Sequence, residues 1–378
     1  MITPFRDPIH VTRPLLPPLS ALTPRLAEIW SAQWLTNGGD QHVQLEAALR
    51  AHLDVPQLSL FNNGTIALLA ALRALDLKGE VVTTPFTFPA TPHALTWQGL
   101  TPVFADIDPA NLTLDPDAVE RAITPQTSAI LAVHVYGVPC DVEALQQIAD
   151  RRGLRVIYDA AHAFGARVGG TSIGRFGDAT MFSFHATKLF HTAEGGALAV
   201  GDADLRLRVE RLKNFGIADQ EHVELAGING KMTELQAALG LAVLDCVPGE
   251  LLKRRVVLDT YRARLAGMPG LSFIPERSPE KSGLQYCAVR INERAFGQSR
   301  DAVHDQLKKL NVLTRKYFFP LCSDYPCYRD LPSADPARLP VAACAAREVL
   351  CLPLYGELPL ESVNTICDMV MRLQQCPA

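Results

Sequence analysis

Lys188 is the sole lysine of residues 181–200, and it falls between two apolar runs of strand character, Met181 to Phe184 and Ala197 to Val200. A lysine so close to buried segments is costly unless it is used. Desolvation lowers its pKa, and the neutral amine forms a Schiff base with a carbonyl. The plainer alternative is a surface lysine on a loop between strands. Asp159 and His162 follow another strand-like run, Arg155 to Tyr158. Ligands of open parallel sheets bind beyond the carboxyl ends of the strands. An Asp there can hold a ring nitrogen protonated, and a His one turn on can reach a neighbouring ring substituent. Otherwise Asp159 is a helix cap. A metal pair lacks a third ligand nearby.

Four further places fit a cofactor site. Phe88, just past the run Val81-Val82-Thr83, can stack on a flat ring or simply pack in the core. Asn63-Gly64-Thr65-Ile66 opens a helix after an apolar run; free N–H groups at such a start bind phosphate, and Gly64 permits close approach. The alternative is an ordinary N-cap. The hydroxyl of Ser183, five residues before Lys188, can join the phosphate site. Asn229 lies in the glycine-rich stretch Gly227-Ile228-Asn229-Gly230, where turn chemistry is the simpler reading. Together these are the requirements of pyridoxal 5'-phosphate: a Schiff-base lysine, an acid for the ring nitrogen, a stacking ring and a phosphate cup.

The elements that must position them alternate. Strands are expected near 58–61, 81–83, 103–106, 129–135, 155–158, 181–184 and 197–200, with helices near 24–32, 43–53, 65–75, 92–97, 116–123 and 142–151. That alternation, with near-continuous apolar strands, predicts a mostly parallel sheet covered on both faces. From about Leu205 the pattern turns helical. Met232 to Leu244 reads as an amphipathic helix and 250–266 as a long charged one that links the sheet to a second unit. A strand at 285–291 and helices at 301–310 and 360–374 follow.

The bulk properties narrow the function. The 378 residues carry a net charge of -4, so no basic excess speaks for nucleic acid or an anionic membrane surface. Apolar residues make up 48%, enough for a large core, yet no stretch of about 18 of them exists to span a membrane. Met1 to Pro18 has no apolar run of signal-peptide length, and a cytoplasmic location is expected. Nine scattered cysteines without a CxxC pair read as reduced thiols rather than a metal site.

From about Pro17 to Leu358 the chain resembles the DegT-type sugar-nucleotide aminotransferases, among the fold-type I pyridoxal-phosphate enzymes. The resemblance rests on Trp34-Leu35-Thr36-Asn37-Gly38, Asn63-Gly64-Thr65, Pro85-Phe86-Thr87-Phe88, Val133-His134-Val135-Tyr136-Gly137, Asp159-Ala160-Ala161-His162, Ser183-Phe184-His185-Ala186-Thr187-Lys188, Glu194-Gly195-Gly196 and Gln236-Ala237-Ala238, in this order. It implies an α/β fold with a mostly parallel seven-stranded sheet between helices. A large cofactor-binding domain would cover 1–248 and a smaller α+β domain 249–378.

It further implies that Lys188 carries the Schiff base and shuttles the proton, Asp159 pairs with the ring nitrogen, and Phe88 stacks on the ring. Gly64, Thr65, Ile66 and Ser183 would hold the phosphate. His162 stands where Gln is commoner. Asn229 would reach the neighbouring subunit's cofactor, which implies a homodimer. His185, Arg315, Tyr317 and Phe318 are candidate sugar-nucleotide contacts. The expected reaction moves an amino group from L-glutamate to a nucleotide-linked keto sugar. The Trp34–Asn37 stretch is most similar to members that aminate C4 of dTDP-4-keto-6-deoxyglucose; a 3-keto or a UDP- or GDP-linked sugar, or a cofactor-binding regulator without turnover, is the alternative.

Overall fold

Seven apolar runs pair into one sheet in the spatial order Gln57–Phe61, Gly196–Val200, Ala179–Ser183, Arg155–Asp159, Thr127–Val133, Glu80–Thr83 and Thr101–Phe104. The chain is described here from a computed structural model, which covers residues 3–275 and 283–375. Gly196–Val200 runs antiparallel to both of its neighbours, and the remaining pairs are parallel. Six strands therefore end at one edge. Phe61, Ser183, Asp159, Val133, Thr83 and Phe104 are their last residues, and Gly196 starts the reversed strand at the same edge.

Each strand is apolar because both faces are covered. Ala129 to Val133, Val156 to Tyr158 and Ala197 to Val200 are all essentially inaccessible. The helix Gly64–Ala74 shows how a face is closed. Ala and Leu favour helix, and Asn63 caps it by accepting the N–H of Ile66. Leu68 and Leu72 are then buried with Val81, Ile157 and Leu198 of the sheet, each burial stabilising by about 1.5–3 kcal/mol.

The helix Glu234–Leu244 departs from the amphipathic reading: Ala237, Ala238, Gly240, Leu241, Ala242 and Val243 are all buried. It lies against the helices Leu19–Ala32 and Asp40–His52, which leaves Leu235 as its one exposed residue. Its first residue ties this layer together. The buried Glu234 carboxylate accepts the N–H groups of Gln41 and His42 at 2.9 and 2.8 Å, capping the helix Asp40–His52.

A second core packs the long helix Val247–Arg264 and the terminal helix Leu360–Gln375 on a three-stranded antiparallel sheet, Leu271–Phe273, Cys287–Ile291 and Val349–Leu352. Val257, Tyr261, Val289, Ile366 and Val370 lie within it. The N-terminal segment crosses to this side, where Ile9–His10 pairs in parallel with Val312–Leu313. Among the described residues no single helix is long and apolar enough to cross a membrane.

Candidate active site

Lys188 belongs to the turn joining Ala179–Ser183 to Gly196–Val200. The chain leaves the sheet at Ser183, and the N–H of Lys188 bonds the carbonyl of His185 at 2.8 Å. It returns along Phe184, which pairs with Gly195 and Thr192 at 2.8 and 3.0 Å. Lys188 is half-buried and lines a cavity of about 270 Å³ at the carboxyl edge of the sheet. Burial brings its amine down from 10.5 to about 8, while the Asp159 carboxylate acts in the opposite sense.

Asp159 is the last residue of its strand and lines the same cavity. Its Oδ2 accepts from the Thr91 hydroxyl at 2.8 Å and its Oδ1 from the N–H of Ala161 at 3.0 Å. Thr91 in turn shares a hydrogen bond with the Thr87 hydroxyl at 2.9 Å. Burial pushes the Asp159 carboxyl up; these hydrogen bonds and the Lys188 charge pull it down. His162 is buried against Phe318, with ring centroids 5.7 Å apart, and edge-on to Tyr286 at 5.2 Å. Burial holds its pKa well below the ordinary value, which makes the ring neutral. Its Nδ1 is buried without a hydrogen-bond partner among the described residues, a polar atom suited to a ligand.

Asn63, Gly64, Thr65 and Ser183 line the far end of the cavity. The first four N–H groups of a helix lack helical partners. That of Ile66 goes to the Asn63 side chain at 2.9 Å and that of Ala67 to the Asn63 carbonyl at 3.2 Å. The N–H groups of Gly64 and Thr65 remain. Ile66, also expected at the phosphate cup, gives its N–H to this cap and is not among the residues of the cavity wall.

Phe88, His185, Tyr317 and Phe318 complete the wall. The Tyr136 hydroxyl donates to the Tyr317 carbonyl and fixes that segment. Two predicted residues lie elsewhere. Arg315 is exposed, and its backbone pairs with Cys351. Asn229 is exposed on its loop, where its Oδ1 accepts from Lys231 at 2.8 Å. Tyr286, Thr87, Thr187 and Glu194 also face the cavity. Of these, Thr87 and Thr187 stand beside residues singled out by sequence, whereas Tyr286 carries no motif. A larger cavity, about 580 Å³, lies at the opposite edge of the sheet. Both of its arginines are paired, Arg155 with Asp178 and Arg208 with Asp76, and among the described residues no lysine or histidine lines it.

The chain is 47% identical over 366 residues to a dTDP-4-amino-4,6-dideoxy-D-glucose transaminase of Escherichia coli, covering 96% of this chain and 98% of that one. It is 42% identical to the enzyme of the same name from Shigella dysenteriae, over 98% and 100% of the two chains. The structure of DesI with its TDP-sugar product superposes with a TM-score of 0.94 at 40% identity, covering 98% of this chain and 94% of DesI. Residues 20–371 match the model of one family, and the chain belongs to it: the DegT/DnrJ/EryC1/StrS aminotransferase family.

Proposed function

We propose that this enzyme uses pyridoxal 5'-phosphate to move an amino group from L-glutamate to dTDP-4-keto-6-deoxyglucose, forming dTDP-4-amino-4,6-dideoxyglucose. The observation that carries the reading is one cavity that joins a desolvated lysine, a buried carboxylate and the open N-terminus of a helix. The residues present fit the cofactor. Gly64, Thr65 and Ser183 offer donors to its phosphate, Asp159 an acceptor to its ring nitrogen, Phe88 an apolar face, and the unpartnered Nδ1 of His162 a polar contact at the ring's edge. When bound, the cofactor supplies a carbonyl that takes up the amino group and a ring that withdraws electrons from the carbon losing its proton. Close relatives acting on this sugar nucleotide, and the fit to DesI holding its TDP-sugar product, support the acceptor.

The protein's own part is proton and charge placement. Lys188, with its amine at about 8, exchanges a proton at Nζ near neutral pH, the range in which a general base works best. Asp159, held by Thr91 and Ala161, keeps a ring N–H in place as a fixed negative partner. The neutral His162 donates or accepts without adding charge. Asn229, remote from its own cavity, serves the site of a second copy in a homodimer.

The test is to load the protein with cofactor, add excess L-glutamate, desalt, and add dTDP-4-keto-6-deoxyglucose while following the visible band of the bound cofactor. Bleaching by glutamate and recovery with the sugar supports both halves. Bleaching without recovery rejects this acceptor. A protein that never develops the band, or a Lys188→Ala variant that still transfers the amino group, overturns the mechanism.

A further inference from the structure

Gln285 immediately precedes Tyr286 and the strand Cys287–Ile291 of the second sheet, and it is only 2% exposed. Its carboxamide reaches across to the lysine turn. Oε1 accepts from the N–H of Leu189 at 2.9 Å, and Nε2 donates to the carbonyl of Thr187 at 2.9 Å. Those two groups lie on either side of Lys188. One side chain therefore satisfies the peptide before the lysine and the peptide after it, in the one-acceptor, one-donor sense that a carboxamide offers.

The clamp is itself anchored. The carbonyl of Leu284 accepts from Nη1 of Arg254 at 3.3 Å. Arg254, wholly buried in the helix Val247–Arg264, is paired through Nε with Glu250 Oε1 at 2.6 Å. Glu250 also accepts the N–H of Gly356 at 2.9 Å. On the cavity side, Tyr286 packs edge-on to His162. The segment 284–286 thus ties the second sheet to both the lysine turn and the cavity wall.

We propose that Gln285 is a positioning residue for Lys188, fixing the peptide from which the amine reaches the reacting carbon. The inference rests on the aminotransferase reading of the cavity. Displacing a reacting group by about 1 Å costs on the order of 10²-fold in rate, and without the carboxamide the Leu189 N–H and Thr187 carbonyl have no partner from this side chain.

The experiment compares cofactor-loaded wild type with Gln285→Met, which keeps the volume and loses both hydrogen bonds, and Gln285→Glu, which keeps the acceptor and loses the donor. Four quantities are read: kcat, KM for glutamate, cofactor occupancy, and the pH midpoint of the visible band. The expectation is a kcat about 10–100-fold lower for Gln285→Met, with KM and cofactor occupancy unchanged and the midpoint displaced. Gln285→Glu should fall between. Wild-type kcat and midpoint in either variant overturn the proposal, as does a loss that tracks cofactor occupancy alone. Should Gln285→Met fail to fold, Gln285→Glu decides by the same criteria. If wild type itself shows no response to glutamate, the function reading fails instead. The clamp is then judged by hydrogen exchange of residues 186–191 in cofactor-free protein: unchanged exchange in the Glu variant rejects it.

Discussion

The amine of Lys188 should titrate near pH 8 in cofactor-free protein, and replacing Asp159 by Asn should lower that midpoint further. Burial is the larger influence on this lysine and the Asp159 carboxylate the opposing one. Removing the carboxylate therefore leaves desolvation unopposed. At a pKa of about 8 roughly one molecule in ten carries a neutral amine at pH 7, against about one in three thousand at 10.5, a gain of about 300-fold in reactive amine.

Competitive labelling with an amine-reactive reagent from pH 6 to 10, read on the peptide containing Lys188, measures the midpoint directly. A wild-type midpoint above 10, or a rise in Asp159→Asn, refutes the reasoning. The same depression has a stability consequence. Between pH 8 and 10.5 the unfolded chain holds a proton that the folded chain has lost, so stability from this group rises with pH across that window. Below pH 8 the cost of burying the ammonium is fully present. Lys188→Met should stabilise the cofactor-free protein by about 1–3 kcal/mol at pH 7, and the gain should vanish above pH 10.5.

Other substitutions probe the supports of the site. Thr91→Val removes the hydroxyl bonded to Asp159 Oδ2; Asp159 should titrate higher, kcat/KM should fall about tenfold with its acid limb moved to higher pH, and Thr91→Ser should restore both. Arg254→Met strips Glu250 of its buried cationic partner and should cost about 3–5 kcal/mol in urea unfolding, part of it recovered by adding Glu250→Gln. Gly39→Ala places a Cβ 2.5 Å from Cδ of Glu234, the carboxylate that caps the helix Asp40–His52; a loss of about 1–3 kcal/mol is expected in the same assay. Asn229→Ala mixed with Lys188→Ala should recover a fraction of wild-type turnover if each copy completes the other's site, and equal inactivity of mixed and separate variants speaks against sharing.

The large sheet was legible because its strands are buried on both faces and read as apolar runs. The expected strands fall within two or three residues of those observed at Arg155–Asp159, Ala179–Ser183 and Gly196–Val200. The carboxyl-edge rule then gathers Phe88, Asp159, Ser183 and Lys188 around one cavity without any knowledge of their contacts. Glu234–Leu244 misled because an apolar helix with a few polar positions has the same local pattern whether one whole face is wet or neighbours cover nearly every position. Position alone does not show that the Asn63 cap takes the N–H of Ile66.

What the sequence concealed has a common cause. Gln285 is 96 positions from Leu189, and Thr91 is 68 from Asp159. Neither belongs to a local pattern, and a lone Gln or Thr before a strand or in a helix is ordinary. Each becomes informative only when burial is known, because a buried carboxamide or hydroxyl must find partners and its partners here are the backbone around Lys188 and the carboxylate of Asp159. The chemistry-bearing groups are thus readable from residue type and strand ends, whereas the groups that fix them are readable only as answers to where buried polar atoms make their hydrogen bonds.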